Sequence, residues 1–158
     1  TGVFHKHKRN QYNRELVTEQ AKSITWEERS LTLECQPYIF AKQMRDIWRL
    51  KGKVDIVITD SPLLLSLIYL KKEEWPNCFQ DYVVDQFSYF DNLNFFIKRK
   101  KTYIEIGRNQ TESEAKQIDE KIYTLLLDKN ADFDIIEENE DATQTIFQRT
   151  TEEIKKRG

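Results

Sequence analysis

The sequence is short of the residues that interrupt or cross-link a chain. Its 158 residues include only 4 Gly and 3 Pro, so long regular elements with few flexible linkers are expected. Cys35 and Cys78 stand alone, without a CxxC motif or a neighbouring His pair, which argues against a disulfide framework or a zinc site. The simplest compartment for such a chain is a reducing cytoplasm.

The sequence also lacks a long apolar run and an excess of charge. The longest mostly apolar run, Leu63 to Leu70, is far too short to span a bilayer, and we expect no signal peptide, since none is visible in this sequence. The 25 basic and 27 acidic residues are well mixed, which gives no electrostatic case for general nucleic-acid binding. The basic cluster Lys98 to Lys101 is local and suits one phosphorylated ligand better than a duplex.

One stretch organises the rest of the chain. The β-branched run Val54 to Ile58 predicts a buried strand that ends at a polar tip containing Asp60. Pro62 suits the first position of a helix over Leu63 to Tyr69, and Ser61 or Asp60 can cap that helix. Phosphates and their metals usually bind at such a junction of strand and helix, so Asp60 is the first functional candidate.

Further strands and helices alternate along the chain. Alternation of this kind predicts a parallel sheet with helices on both faces, as one three-layer α/β/α domain over residues 1–158. Pro37 is expected to break or kink the helical stretch between Thr25 and Gly52. The other predicted elements are strands over Glu15–Thr18, Leu93–Ile97 and Phe133–Ile136 and helices over Phe79–Phe90, Thr111–Leu127 and Ala142–Ile154.

Four charged residues follow the predicted strands. Glu19, Asp60 and Arg99 lie at or just beyond strand ends, and Arg108 lies in the loop after Arg99. At one sheet edge, a carboxylate can hold Mg²⁺ through water, a second can accept a proton, and arginines can neutralise a transferring phosphoryl group. These parts describe a phosphotransferase. The alternative is that the carboxylates cap helices and that the basic run is a solvated face.

The helical stretch before the organising strand supplies further candidates. Gln36, Gln43 and Arg45 could reach a ligand from the inner side of this stretch. The alternative is that they are ordinary surface polar residues.

Three segments of the sequence resemble a known family. ELVTEQAKSITWEERS, VDIVITDSPLLLSLIY and NLNFFIKRKKTY followed by GRNQTESEAKQIDEKI resemble the phage-encoded P-loop ATPases or kinases of the AAA-type family that also contains nicotinamide riboside kinase-like domains. The resemblance runs from Gly2 to about Ile154. It implies a P-loop NTPase fold of the nucleoside or nucleotide kinase kind, in the cytoplasm of an infected bacterium.

The resemblance also implies roles for individual residues. Asp60 matches the Walker B or Mg²⁺-associated carboxylate, and Glu19 matches a general base near the acceptor. The segment with Gly107 and Arg108 matches a lid, here residues 99–112, that closes over the nucleotide phosphates. Nucleotide-binding residues would be Ser61, Gly107 and Asn139, with the loop Glu138 to Asp141 beside the base.

The sequence departs from this family at its start. Family members begin with a strand and a GxxxxGK[ST] loop that cradles phosphates, and this chain contains no such loop. TGVFHKHK resembles the part of the first helix that follows the loop. We therefore expect either an upstream piece or another segment that fills the gap, because loss of the central first strand would leave its neighbours without a partner.

Three functions remain open from the sequence. The first is transfer of the γ-phosphoryl group of ATP or GTP, with Mg²⁺, to a small nucleoside- or nucleotide-like acceptor. The second is a P-loop-derived binding protein that contacts a host or phage protein, to which the aromatics between Trp75 and Phe90 point. The third is NTP hydrolysis as a switch. The expected partners are thus a nucleotide and an acceptor, with a homo-oligomer or protein partner as a further possibility and no membrane.

Overall fold

The computed structural model of the protein describes residues 14–17, 35–71, 73, 75–100 and 109–158. These residues fall into two compact units, one that ends at Asn92 and one from Leu93 to Gly158. Each unit combines helices with one pair of parallel strands. The α/β class predicted from the sequence is therefore confirmed at this coarse level.

The first unit contains a parallel pair of short strands, β1 (Arg14–Val17) and β2 (Ile56–Thr59). The register pairs Val17 with Thr59, so both strands end at the same edge. The β-branched run after Lys53 does form a strand, but pairing begins two residues later than the run itself. The strand ends at Thr59, directly before Asp60.

A helix, α1 (Gln36–Trp48), connects these two strands in sequence. Pro37 lies in its first turn, where the absent N–H leaves no helical hydrogen bond unmade. The helix begins in the turn that contains Pro37, with Cys35 outside it, and the part of the predicted helical stretch before Cys35 lies outside the described residues, so a break at Pro37 stays a prediction. The buried face of α1 consists of Gln36, Ile39, Phe40, Gln43 and Ile47.

The core of the first unit forms between α1 and the elements after β2. These are a 3₁₀ helix (Leu63–Leu65), the single-turn α2 (Ser66–Tyr69) and α3 (Asn77–Ser88). The Phe40 ring meets the Phe79 ring edge to face, at 5.8 Å between centroids. Leu64 and Val83 are completely buried.

The junction after β2 differs from the prediction in one detail. Pro62 adopts an extended conformation (φ −62°, ψ 151°) and precedes the 3₁₀ helix instead of occupying its first position. The turn is closed by main-chain groups, because the Leu65 N–H donates to the Pro62 carbonyl at 3.0 Å. The residue before the 3₁₀ helix is Pro62, which has no side-chain group that could cap it, so capping by Ser61 or Asp60 stays a prediction.

The second unit contains the parallel pair β3 (Asn94–Lys98) and β4 (Phe133–Glu137), which align over their full length. Two helices accompany the strands, α4 (Asn109–Asp128) and α5 (Ala142–Arg157). All four elements lie within a few residues of their predicted positions.

The helices of the second unit cover opposite faces of its strand pair. Phe96 and Phe133 lie on one face, and the ring of Tyr123 from α4 meets both of them edge to face, with centroids at 5.8 and 5.7 Å. Asp134 lies on the other face and is paired with Arg149 of α5 at 2.9 Å. Within this unit, one helix therefore contacts each face of the strand pair.

No helix in the described ranges combines the length and apolarity that crossing a membrane requires.

Candidate functional site

The candidate site in the first unit lies where β1 and β2 end. Thr59 is the last residue of β2 and is paired with Val17, and Asp60 follows it with an exposed side chain. Ser61, the next residue, is buried. Asp60 is therefore the first residue past the paired ends of two parallel strands, the position at which ligands bind to open α/β sheets.

A buried side chain of α1 forms a hydrogen bond to the turn after Asp60. The Gln43 Nε2 group donates a hydrogen bond to the main-chain carbonyl of Ser61. Gln43 is only 3% exposed, and Gln36 is also buried on the same helix face. Two of the predicted substrate-binding residues therefore lie on the inner side of α1, as the sequence suggested, and one of them contacts the predicted nucleotide-binding Ser61.

Arg45, the third predicted substrate-binding residue, lies on the outer side of α1. Its side chain is 79% exposed, and its nearest described carboxylate is Asp46, at 3.9 Å. Exposed pairs of this length contribute little to stability. The inner side of α1 thus presents amide groups, whereas the guanidinium of Arg45 reaches solvent.

The second unit places charged residues at the carboxyl ends of β3 and β4. Arg99 follows β3, and its Nε–H contacts the Asp119 carboxylate of α4 at 2.9 Å. Lys98 and Glu137, the last paired residues, approach to 3.9 Å. The Lys100 backbone N–H donates to the Glu138 carboxylate at 3.1 Å. The side chains of Lys98 and Arg99 each therefore have a carboxylate beside them.

Asn139 shapes the loop that starts α5. Its side-chain oxygen accepts a hydrogen bond from the Asp141 N–H at 2.9 Å, and its carbonyl accepts one from the Ala142 N–H at 3.2 Å. This is a local side-chain turn of the kind that Asn commonly makes before a helix. Asn139 lies on an exposed loop, and its nucleotide-binding role stays a prediction.

Three of the predicted site residues, Glu19, Gly107 and Arg108, lie outside the described residues, as does most of the predicted lid, residues 99–112. The structure brings together Asp60, Ser61 and Gln43 in the first unit, and separately Arg99 with the strand ends of the second.

The described residues hold no cluster of three or more His, Cys, Asp or Glu side chains suited to a metal ion. Mg²⁺ seldom needs such a cluster, because it usually takes one or two carboxylates together with waters and substrate phosphates. The exposed Asp60 carboxylate fits an ion of that kind, carried by a nucleotide.

Sequence reasoning missed two partners of the candidate residues. It did not connect Gln43 with the Ser61 carbonyl, and it did not single out Asp119 as the partner of Arg99. The sequence did contain a signal for both Gln43 and Asp119. Gln43 and Asp119 each fall in line with the apolar positions of their helices, where a polar side chain needs a specific partner.

No protein-family model, no curated protein and no solved structure matches this chain.

Proposed function

We propose that the chain is a P-loop-type phosphotransferase that uses ATP or GTP with Mg²⁺ and acts on a small nucleoside- or nucleotide-like acceptor. The observation that carries the proposal is the position of Asp60, one residue past the paired ends of β1 and β2. An exposed carboxylate there is suited to a metal-bound polyphosphate. The resemblance of the DSP segment to a Walker B region supports the same role.

The second unit supports the proposal because it has positively charged residues at the carboxyl ends of its own strand pair. Lys98 ends β3, and Arg99 and Lys100 follow it at the carboxyl edge of a second parallel pair. Guanidinium groups match the geometry of phosphoryl oxygens, and positioned cations are the main catalytic resource in phosphoryl transfer. Arg99 and Arg108 are proposed to stabilise the transferred charge.

The proposed reaction is an in-line displacement. The acceptor hydroxyl oxygen forms a bond to the γ-phosphorus while the bond from that phosphorus to the β–γ bridging oxygen breaks, releasing a nucleoside diphosphate. Glu19 takes the hydroxyl proton, and Gln36, on the inner side of α1, contributes to the acceptor pocket. When bound with the nucleotide, Mg²⁺ neutralises phosphate charge, and Asp60 would hold it through water.

The test compares two aspartates at opposite ends of one strand. Asp55 directly precedes β2 and Asp60 directly follows it, and both side chains are exposed. In the full-length gene product, Asp60→Asn should lower transfer of labelled γ-phosphate to a panel of nucleosides by about 10- to 100-fold. Asp55→Asn should leave it unchanged, because that residue lies at the amino end of the strand.

Equal losses in both variants, or no loss in Asp60→Asn, would contradict the assignment of Asp60. Release of inorganic phosphate without a labelled acceptor would favour the hydrolytic switch over the kinase.

A second candidate function is a binding protein that contacts another protein. The observation that favours it is a set of exposed tyrosine residues in the first unit, Tyr69, Tyr82 and Tyr89. Exposed aromatic side chains are enriched at protein interfaces. Direct titration separates the two functions, since a full-length protein that binds neither ATP nor GTP in the presence of Mg²⁺ favours the binding protein.

A further inference from the structure

The inference concerns Gln43, whose position in α1 is unusual for an amide. Its neighbours on the buried face of the helix are Ile39, Phe40 and Ile47, and it is at least as well buried as most of them. Burying an amide is unfavourable unless it is hydrogen-bonded. Packing alone would be served by an apolar residue, so the choice of Gln at this position depends on its partner.

That partner is the main-chain carbonyl of Ser61, which belongs to neither a strand nor a helix. A hydrogen bond to this carbonyl fixes the orientation of the peptide that joins Ser61 to Pro62. On the other side of Asp60, Thr59 is fixed by pairing with Val17. The backbone of Asp60 is therefore held at both ends, by the strand pair before it and by Gln43 after it.

We infer that Gln43 is a positioning residue that sets the backbone of the Asp60–Ser61 turn, and that it acts on the metal–nucleotide complex through Asp60 instead of contacting the acceptor. This inference rests on the proposed function for the role of Asp60. It assigns Gln43 differently from the acceptor-pocket role predicted from the sequence. Gln36 retains that role.

The first measurement follows the turn itself and needs no ligand. The Leu65 amide, which donates to the Pro62 carbonyl, reports opening of the turn by hydrogen exchange, and the Tyr89 amide, which donates to Asp85, reports the rest of the unit. In Gln43→Met, which keeps the length of the side chain but cannot donate, exchange at Leu65 should be about tenfold faster while Tyr89 changes less.

The matched control is Ile39→Val, which removes one methyl group from the same buried face of α1 and leaves the Gln43 amide in place. It should affect exchange at both amides equally. If Gln43→Met does not fold, Gln43→Asn serves in its place, because its amide remains polar but is too short to reach Ser61. Unchanged relative exchange at Leu65 in a folded Gln43 variant would overturn the inference.

The second measurement is the affinity for Mg²⁺–ATP, determined by calorimetry well below the unfolding temperature of each variant. Gln43→Met should weaken binding by about tenfold and shift the Mg²⁺ dependence, whereas Ile39→Val should do neither. If exchange at Leu65 rises but affinity does not change, Gln43 is only structural and the positioning role is wrong. If the wild type binds no nucleotide, the proposed function fails, and the exchange data still show whether Gln43 holds the turn.

Discussion

Two ion pairs in the second unit have the same nitrogen–oxygen distance but different surroundings. Arg99 contacts Asp119 at 2.9 Å, with side chains 61% and 26% exposed, and Arg149 contacts Asp134 at 2.9 Å, with side chains 43% and 46% exposed. Neither pair is buried, so each is expected to contribute less than about 1 kcal/mol to stability. Only the first pair lies at the carboxyl ends of the strands.

This difference allows the roles of the two arginines to be separated. Arg99→Gln and Arg149→Gln should each lower the free energy of unfolding by less than about 1 kcal/mol in urea titrations. Only Arg99→Gln should reduce phosphoryl transfer, because only Arg99 lies where phosphate oxygens are proposed to bind. A fall in transfer of the same size in both variants would contradict the proposed role of Arg99.

At the residue scale, the sequence predicted which residues follow the strands. It did not predict which other side chains lie next to those residues. Asp60 and Arg99 were found because apolar runs ending in a charged residue indicate where strands stop, and both do follow strands. The contacts of Gln43 and Asp119 depend on which helix face packs inward and on residues far away in the sequence. Periodicity shows that face, but not which atom will lie opposite it.

At the scale of elements, glycine determines how the chain leaves α1. Gly52 has a φ of +73°, the left-handed region that L-residues adopt only at a cost, and a Cβ atom built there would meet nothing within 4 Å. The turn is closed by the Lys53 N–H, which donates to the Leu50 carbonyl at 2.9 Å. The requirement for glycine is thus one of backbone conformation and not of space.

Replacing this glycine should therefore have a measurable effect whose size depends on the backbone preference of the new residue. Gly52→Ala should lower the free energy of unfolding by about 1–2 kcal/mol. Gly52→Asn should cost less, because Asn tolerates the left-handed region better although it is larger. Urea unfolding of both variants tests this order, and a more stable Ala variant than Asn variant would show that side-chain volume matters instead.

Element positions were largely predictable because they follow from local patterns. The helices α3, α4 and α5 and the strands β3 and β4 lie within a few residues of the predicted ranges. The two prolines were harder to interpret. A proline near a helix start is compatible with the first turn, a preceding extended residue or a kink, and Pro37 and Pro62 take two different options. Packing of the neighbouring segments decides among these options.

At the scale of the whole molecule, the alternation of strands and helices predicted parallel pairing, and both described pairs are parallel. Parallel pairing follows from connections that contain helices, so it can be predicted from element order alone. The meeting of Glu19, Asp60 and Arg108 at one site depends on contacts between distant segments. That part of the hypothesis stays a prediction, as does the P-loop character of the fold.

The prediction of a single domain can be tested with the natural distribution of chromophores. All three tryptophans, Trp26, Trp48 and Trp75, precede Asn92, so tryptophan fluorescence reports only on that part of the chain. Far-UV circular dichroism reports strongly on the second unit, which contains α4 with 20 residues and α5 with 16. The helices α1 and α3 of the first unit also contribute to the dichroism, so only the fluorescence is specific to one part of the chain.

Two adjacent leucines in α4 provide a destabilising substitution in the second unit and a matched control substitution. Leu126 is 4% exposed and Leu127 is 54% exposed, so Leu126→Ala should cost about 2–5 kcal/mol and Leu127→Ala very little. If residues 1–158 unfold as one cooperative domain, Leu126→Ala will lower the urea midpoint measured by tryptophan fluorescence as much as that measured by circular dichroism. A fluorescence midpoint that stays at its wild-type value while the dichroism midpoint falls would mean that the two units unfold independently, and the single-domain prediction would be wrong.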